Sequence, residues 1–151
     1  MKRLRTLSAA VLLGIAVGVA GCRMSQSPLL GVQGGRLLPC PPSPNCVCSQ
    51  DSGDDHAVAP LNFSGSSAAA LECLRGAVQA QPRSKIVEER ENYLRAEFRS
   101  LVFRFVDDVE FLADPAAKVI HVRSASRVGY SDLGVNRRRV EQLRSAFERA
   151  R

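Results

Sequence analysis

The chain has 151 residues, a formal net charge of +6, six phenylalanines and no tryptophan. Its length suits one domain, whose core must rest on Leu, Val, Ile, Ala and Phe. Three of the positive charges, Lys2, Arg3 and Arg5, lie in the first five residues; without them the balance falls to +3, and basicity gives no case for a nucleic-acid partner.

Behind those charges runs an apolar stretch from Ala9 to Ala20, followed by Gly21 and Cys22. A basic start, an apolar centre and small residues before a cysteine form the pattern of an export signal, and the apolar part is too short to span a bilayer as a helix. Val19, Ala20, Gly21 and Cys22 resemble the lipobox of bacterial lipoproteins. The resemblance implies cleavage after residue 21, lipidation of Cys22 and anchorage to a membrane of the bacterial cell envelope, with the domain in the periplasm or on the outer membrane. The predicted divisions are a leader over 1–21, a tether over 22–38 and a single domain over 39–151, with a wrapping segment at 39–65.

Four more cysteines follow: Cys40, Cys46, Cys48 and Cys73. An even number in an exported chain favours disulfides. Bridging Cys46 to Cys48 is strained, which leaves Cys40 to pair with Cys46 or Cys48, and Cys73 with the other. The prolines between Cys40 and Cys46 favour that pair. The spacing C-x5-C-x-C is not a zinc-ligand spacing, and His56, the histidine near it, reads as a hydrogen-bonded structural residue, so no metal and no cofactor is expected. No C-x-x-C pair suggests thiol redox chemistry. Residues 23–65, rich in Ser, Gly, Pro, Asn and Asp, have no sustained period and read as extended chain.

From residue 66 the pattern becomes regular. Leu71, Leu74 and Val78, with Ala70 and Ala77, predict a helix over 66–80 capped by Ser64 or Ser66. After Pro82 the period changes to two. Strands are predicted over Lys85–Arg90 and Tyr93–Arg99, and around Val109–Ala113 and Ile120–Val122, with turns at Glu91–Asn92 and Asp114–Ala117. Val140, Leu143, Phe147 and Ala150 then make the stripe of a final helix beginning near Asn136. The expected fold is α+β: a four-stranded antiparallel sheet with two helices on one face, preceded by an extended segment containing proline and cysteine. Its other face would carry Arg95, Glu97, Arg99, Asp108, Glu110, His121 and Arg123, unless the proline-rich segment lies across it.

Three stretches, SPNCVCSQ (Ser43–Gln50), FRFVDDVEF (Phe103–Phe111) and RSASRVGYSDLGVNRRRVE (Arg123–Glu141), resemble a bacterial and plastid family catalogued as domain of unknown function 1499. The resemblance runs from Leu38 to the C-terminus and implies a secreted, lipid-anchored or membrane-linked protein, without an activity to carry over. Cys48 departs from the pattern, which has serine there.

Two constellations are candidate sites. Asp108 and Glu110 share a strand face with His121 and Arg123 on a neighbouring strand, a set able to serve a small hydrolase or isomerase, or simply to form cross-strand pairs. The second is Arg123, Ser124, Ser126, Arg127, Tyr130, Ser131, Asp132, Asn136 and Arg137. Arginines at the start of a helix are disfavoured by its dipole unless an anion binds there, whereas Asp132 as a cap would make the motif structural. There is no G-x-S-x-G, Walker loop or dinucleotide fingerprint. The expected function is a noncatalytic binding or structural module for an anionic small molecule, a headgroup or an envelope protein, with the hydrolase or isomerase as the alternative.

Overall fold

The change of period at Pro82 is where helix gives way to sheet. A computed structural model describes residues 29–151, so the leader, Cys22 and the first part of the tether lie outside the described residues. In chain order the elements are β1 (Val32–Gln33), β2 (Arg36–Leu37), β3 (Cys46–Cys48), β4 (Leu61–Asn62), α1 (Ser67–Gln79), β5 (Ser84–Arg90), β6 (Tyr93–Arg99), β7 (Val106–Asp114), β8 (Val119–Ser126) and α2 (Val135–Arg149). Ser66 caps α1 through Ala69 N, 3.2 Å from its Oγ. After the helix, Arg83 takes φ 59° and Ser84 Oγ donates to Val78 O and Gln81 O, turning the chain into β5.

The α+β class holds, with a larger sheet than four strands. Six strands run in the order β3-β8-β7-β6-β5, with β4 also pairing β8, and every pairing is antiparallel. Without β3 and β4, β8 would be a bare edge with unpaired amides and carbonyls. The extended N-terminal segment supplies both strands, and each is too short to show a period. A separate hairpin, β1-β2, stands inside the stretch assigned to the tether, so ordered chain begins before residue 39.

Register gives the sheet two unlike faces. Leu94, Phe111 and Val122 align across β6, β7 and β8, and join Leu74 and Val78 of α1 with Val140, Leu143 and Phe147 of α2 in one core. Phe111, Phe147 and Leu74 are fully buried, each contributing about 2–3 kcal/mol. Ala150 caps α2 and is exposed instead of extending its buried stripe. On the opposite face the aligned rows are Arg95–Glu110–Arg123 and Glu97–Asp108–Ala125.

The segment ahead of α1 crosses that second face as a strap. Leu37, Cys48 and Tyr93, with Cys40 and Leu112 against them, form a small apolar cluster beneath it. Leu37 N donates to Gln50 Oε1 at 2.8 Å and Cys40 N to Asp51 Oδ2 at 2.8 Å. Cys40 and Cys46 are disulfide-bonded, S–S 2.06 Å and Cα–Cα 5.6 Å. The second bridge does not form: Cys48 and Cys73 are free thiols. Cys48 sits under the strap and Cys73 packs on the helix side, so the sheet stands between them.

Candidate functional site

The ionisable groups of the strap-side face are matched to one another. Asp108, fully buried, accepts Arg127 Nε at 2.7 Å and Nη2 at 2.9 Å, and Arg95 Nη1 at 3.2 Å. Arg127 also reaches Glu97 at 2.5 Å, and Arg95 reaches Glu88 at 3.2 Å. These bonds, to Asp108 first, hold the Arg127 guanidinium above its ordinary range despite partial burial. Alternating charges thus run from β5 to just beyond β8.

Glu110, also fully buried, has a separate set of partners. Its Oε1 accepts Tyr93 OH at 2.8 Å and Gly31 N at 2.5 Å, and its Oε2 accepts Arg123 Nη1 at 3.0 Å. Burial, reinforced by the Glu110 charge, pushes the Tyr93 phenol up, so it stays a proton donor. Arg123 Nε is buried with no hydrogen-bond partner among the described residues. Nearby, burial pushes the Cys48 thiol up, with Asp51 adding to the effect and Arg123 opposing it. His121 lies opposite Leu112, with Nδ1 3.3 Å from Ser49 Oγ. Burial pushes its pKa down, against the pull of Asp114 and with help from Arg36. Asp108, Glu110, His121 and Arg123 therefore share one sheet face, each carboxylate already holding a cation. No group of three His, Cys, Asp or Glu side chains is arranged to hold a metal among the described residues.

The second constellation assembles around Asn136, which is fully buried. Its Nδ2 donates to Asn45 O at 2.9 Å and Ser126 Oγ at 3.0 Å; its Oδ1 accepts Ser124 Oγ and Arg139 Nη1, each at 2.6 Å. Asp132 accepts Gly134 N at 2.9 Å and Asn136 N at 2.7 Å, so a carboxylate of the chain itself faces the first amides of α2. Arg137 donates to the carbonyls of Ala57, Asp54 and Asp55 at 2.7, 2.9 and 3.1 Å. Ser131 Oγ accepts Leu133 N at 3.3 Å, and Tyr130 is exposed. Arg139 pairs with Asp107 at 2.5 Å and lies over the Phe98 ring. The three sequence motifs therefore meet: Asn45 with Asn136, Asp108 with Arg127, and Asp107 with Arg139.

A third feature, not singled out by the sequence, lies where β6 ends and β7 begins. Leu101, Val102, Phe103 and Phe105 of that connection are exposed, as are Val128, Tyr130 and Leu133 of the β8–α2 connection and Val135 at the start of α2. Beside them a cavity of about 240 Å³ is lined by Arg83, Phe98, Arg99, Asp107, Arg138 and Arg139, among others. The signal for it was present in L-V-F-R-F, which has more large apolar residues than the alternation of one sheet face needs.

A family model described as "Protein of unknown function (DUF1499)" matches residues 36–147. The chain belongs to this family. The DUF1499 match begins in β2 and ends within α2, so most of the strap, both candidate constellations and the exposed loops fall inside the family domain. No curated protein and no solved structure matches the chain. Among the described residues no helix is long and apolar enough to cross a membrane.

Proposed function

We propose that the protein is a lipid-anchored domain of the bacterial envelope that binds an anionic ligand, surface or partner without catalysing a reaction. The leader supports the anchor: basic residues, an apolar centre and a small-residue approach to Cys22. The observation that carries the noncatalytic reading is the pairing of the strap-side charges. Asp108 and Glu110 have no exposed surface, and both are held by guanidinium groups. A general base needs reach to its substrate, so this pairing weighs against the alternative of a hydrolase or isomerase built on Asp108, Glu110, His121 and Arg123. Chemistry left open to solvent gathers instead at the loop end, where arginines stand beside bare apolar side chains.

The anchor is tested in cells fed a labelled fatty acid. The full chain is expected to take up the label and to fractionate with membranes, and Cys22→Ser to abolish the labelling. Label retained by Cys22→Ser would remove the anchor from this reading.

A further inference from the structure

We propose that the end of the domain formed by the β6–β7 and β8–α2 connections docks into an anionic bilayer surface, with its apolar loops among the acyl chains and its arginines on lipid phosphates. The proposal rests on the reading of the chain as an envelope protein held at a membrane and names the surface it meets there.

The two connections are neighbours. Arg127 N, just after β8, donates to Val106 O at the start of β7, at 3.1 Å. Val135, at the start of α2, lines the same cavity as Arg99 and Ser100. Exposure in the loops is nearly complete for side chains of this kind: Leu101 71%, Phe103 74%, Tyr130 76% and Leu133 84%. Phe103 and Phe105 stack on each other, ring centroids 5.5 Å apart, which leaves their outer surfaces in water. Scattered exposed apolar residues need no explanation, whereas seven gathered on two adjoining connections, with Val135 beside them at the start of α2, mark a contact surface.

Charge selects the occupant. Arg83 gives its Nε to Arg99 O and Arg138 gives an Nη1 to Leu133 O, so these bonds use carbonyls and leave both positive charges without a carboxylate partner among the described residues. Arg104 stands within the apolar run itself. Asp107, the carboxylate of the cavity, is paired with Arg139. Apolar and aromatic tips ringed by arginines suit the boundary between acyl chains and anionic headgroups, where long basic side chains reach up to phosphate while their stems stay apolar. A fluid bilayer also accommodates protruding loop tips, for which a rigid protein partner would need a matching set of pits. The backbone is held to this shape: Arg83, Arg104 and Leu133 have φ of 59°, 58° and 53°, left-handed values that side-chain-bearing residues rarely adopt.

The tether permits the geometry. Gly31 is fixed to Glu110, four residues along β7 from Val106, a distance of about 13 Å at strand rise. Gly31 lies nine positions after Cys22, a length of chain that can extend about 30 Å, so a lipid at Cys22 and the loop end can meet one membrane plane.

Because the chain has no tryptophan, Phe103→Trp gives a single reporter, and Leu101→Trp a second should the first disturb folding. The lipidated protein beginning at Cys22 is reconstituted in vesicles of phosphatidylcholine alone or mixed with phosphatidylglycerol, each with or without brominated acyl chains. On the mixed vesicles the emission is expected to shift to the blue and to be quenched by the bromines. Adding Arg83→Gln and Arg138→Gln is expected to weaken insertion about thirtyfold, at ~1 kcal/mol per basic residue near an anionic surface. Three results would each overturn the proposal: a reporter left in water on protein that still floats with anionic vesicles, equal insertion on neutral ones, or a blue shift that follows protein concentration without lipid. Failure of the wild-type chain to float with any vesicle would strike the anchor instead.

Discussion

Replacing Glu110 with glutamine tests whether the buried charges are part of what holds the domain together. The amide can still accept from Tyr93 OH and Gly31 N, at 2.8 and 2.5 Å in the wild type, so those two bonds survive in outline. What is lost is the negative charge beside Arg123, whose side chain is 4% exposed and whose Nε already lacks a partner. A buried charge stripped of its counter-ion typically costs about 3–5 kcal/mol, and with the amide oxygen kept on Tyr93 and Gly31 the amide nitrogen meets Arg123 Nη1 donor to donor; at about 3, the low end, the ratio of folded to unfolded chain falls by about two powers of ten. For a domain of this size the melting temperature should drop by about 10 °C. Circular dichroism melts of the wild type, Glu110→Gln and Glu110→Gln/Arg123→Met make the test, since the double variant removes the stranded charge and should regain most of the loss. A single variant that melts within about 2 °C of wild type, or a double variant no better than the single, would refute the reasoning.

The cysteines and His121 give two further expectations. Of the four cysteines after Cys22, two should react with a thiol reagent in denaturant without reductant and four after reduction; in the native state Cys73 should react ahead of Cys48, whose burial pushes its thiol up. Four reactive thiols before reduction would exclude the Cys40–Cys46 bridge. Burial lowers the His121 pKa from 6.5, so as pH falls through that value the unfolded chain takes up the proton first and stability declines, levelling off below the folded pKa. Melting temperature followed from pH 8 to pH 5 should show this loss, and His121→Gln should reduce it; an unchanged slope would assign the acid sensitivity elsewhere.

The regular elements were legible because their periods are long enough to count. Leu71, Leu74 and Val78 gave α1, and alternation through Tyr93–Arg99 gave β6 together with the face on which each residue lies. β1 to β4 have two or three residues each, and what makes them strands is the partner they find, β8 or one another, which no local pattern records. Alternation also placed Asp108, Glu110, His121 and Arg123 together, while their pairing depended on reach. Arg95 stands opposite Glu110 in register yet bonds diagonally to Asp108, and Arg127 bends back from beyond β8. Arg137 is a candidate anion ligand by its place in the first turn of α2, and what the pattern does not record is that it donates to carbonyls of residues 54–57, about 80 residues earlier. Leu101 to Phe105 fall between the two strands that alternation predicts, and only the end of β6 at Arg99 and the start of β7 at Val106 make them an exposed connection.

The strap has a consequence for the order in which the chain assembles. Its holding contacts span long stretches: 79 residues from Gly31 to Glu110, 91 from Asn45 to Asn136, and 84 from Pro60 to Arg144. Each requires a large loop to close, and none has a partner until β7, β8 or α2 exists. The part of the domain that is synthesised first is therefore the part that settles last. During that interval Glu110 and Arg123 remain in water, where a charged pair costs nothing to keep apart, and desolvation comes only when Gly31 and Leu37 close over them. The Cys40–Cys46 bridge, joining residues six apart, can form early from local chain alone, and it shortens the span of disordered strap that the late closure must still arrest.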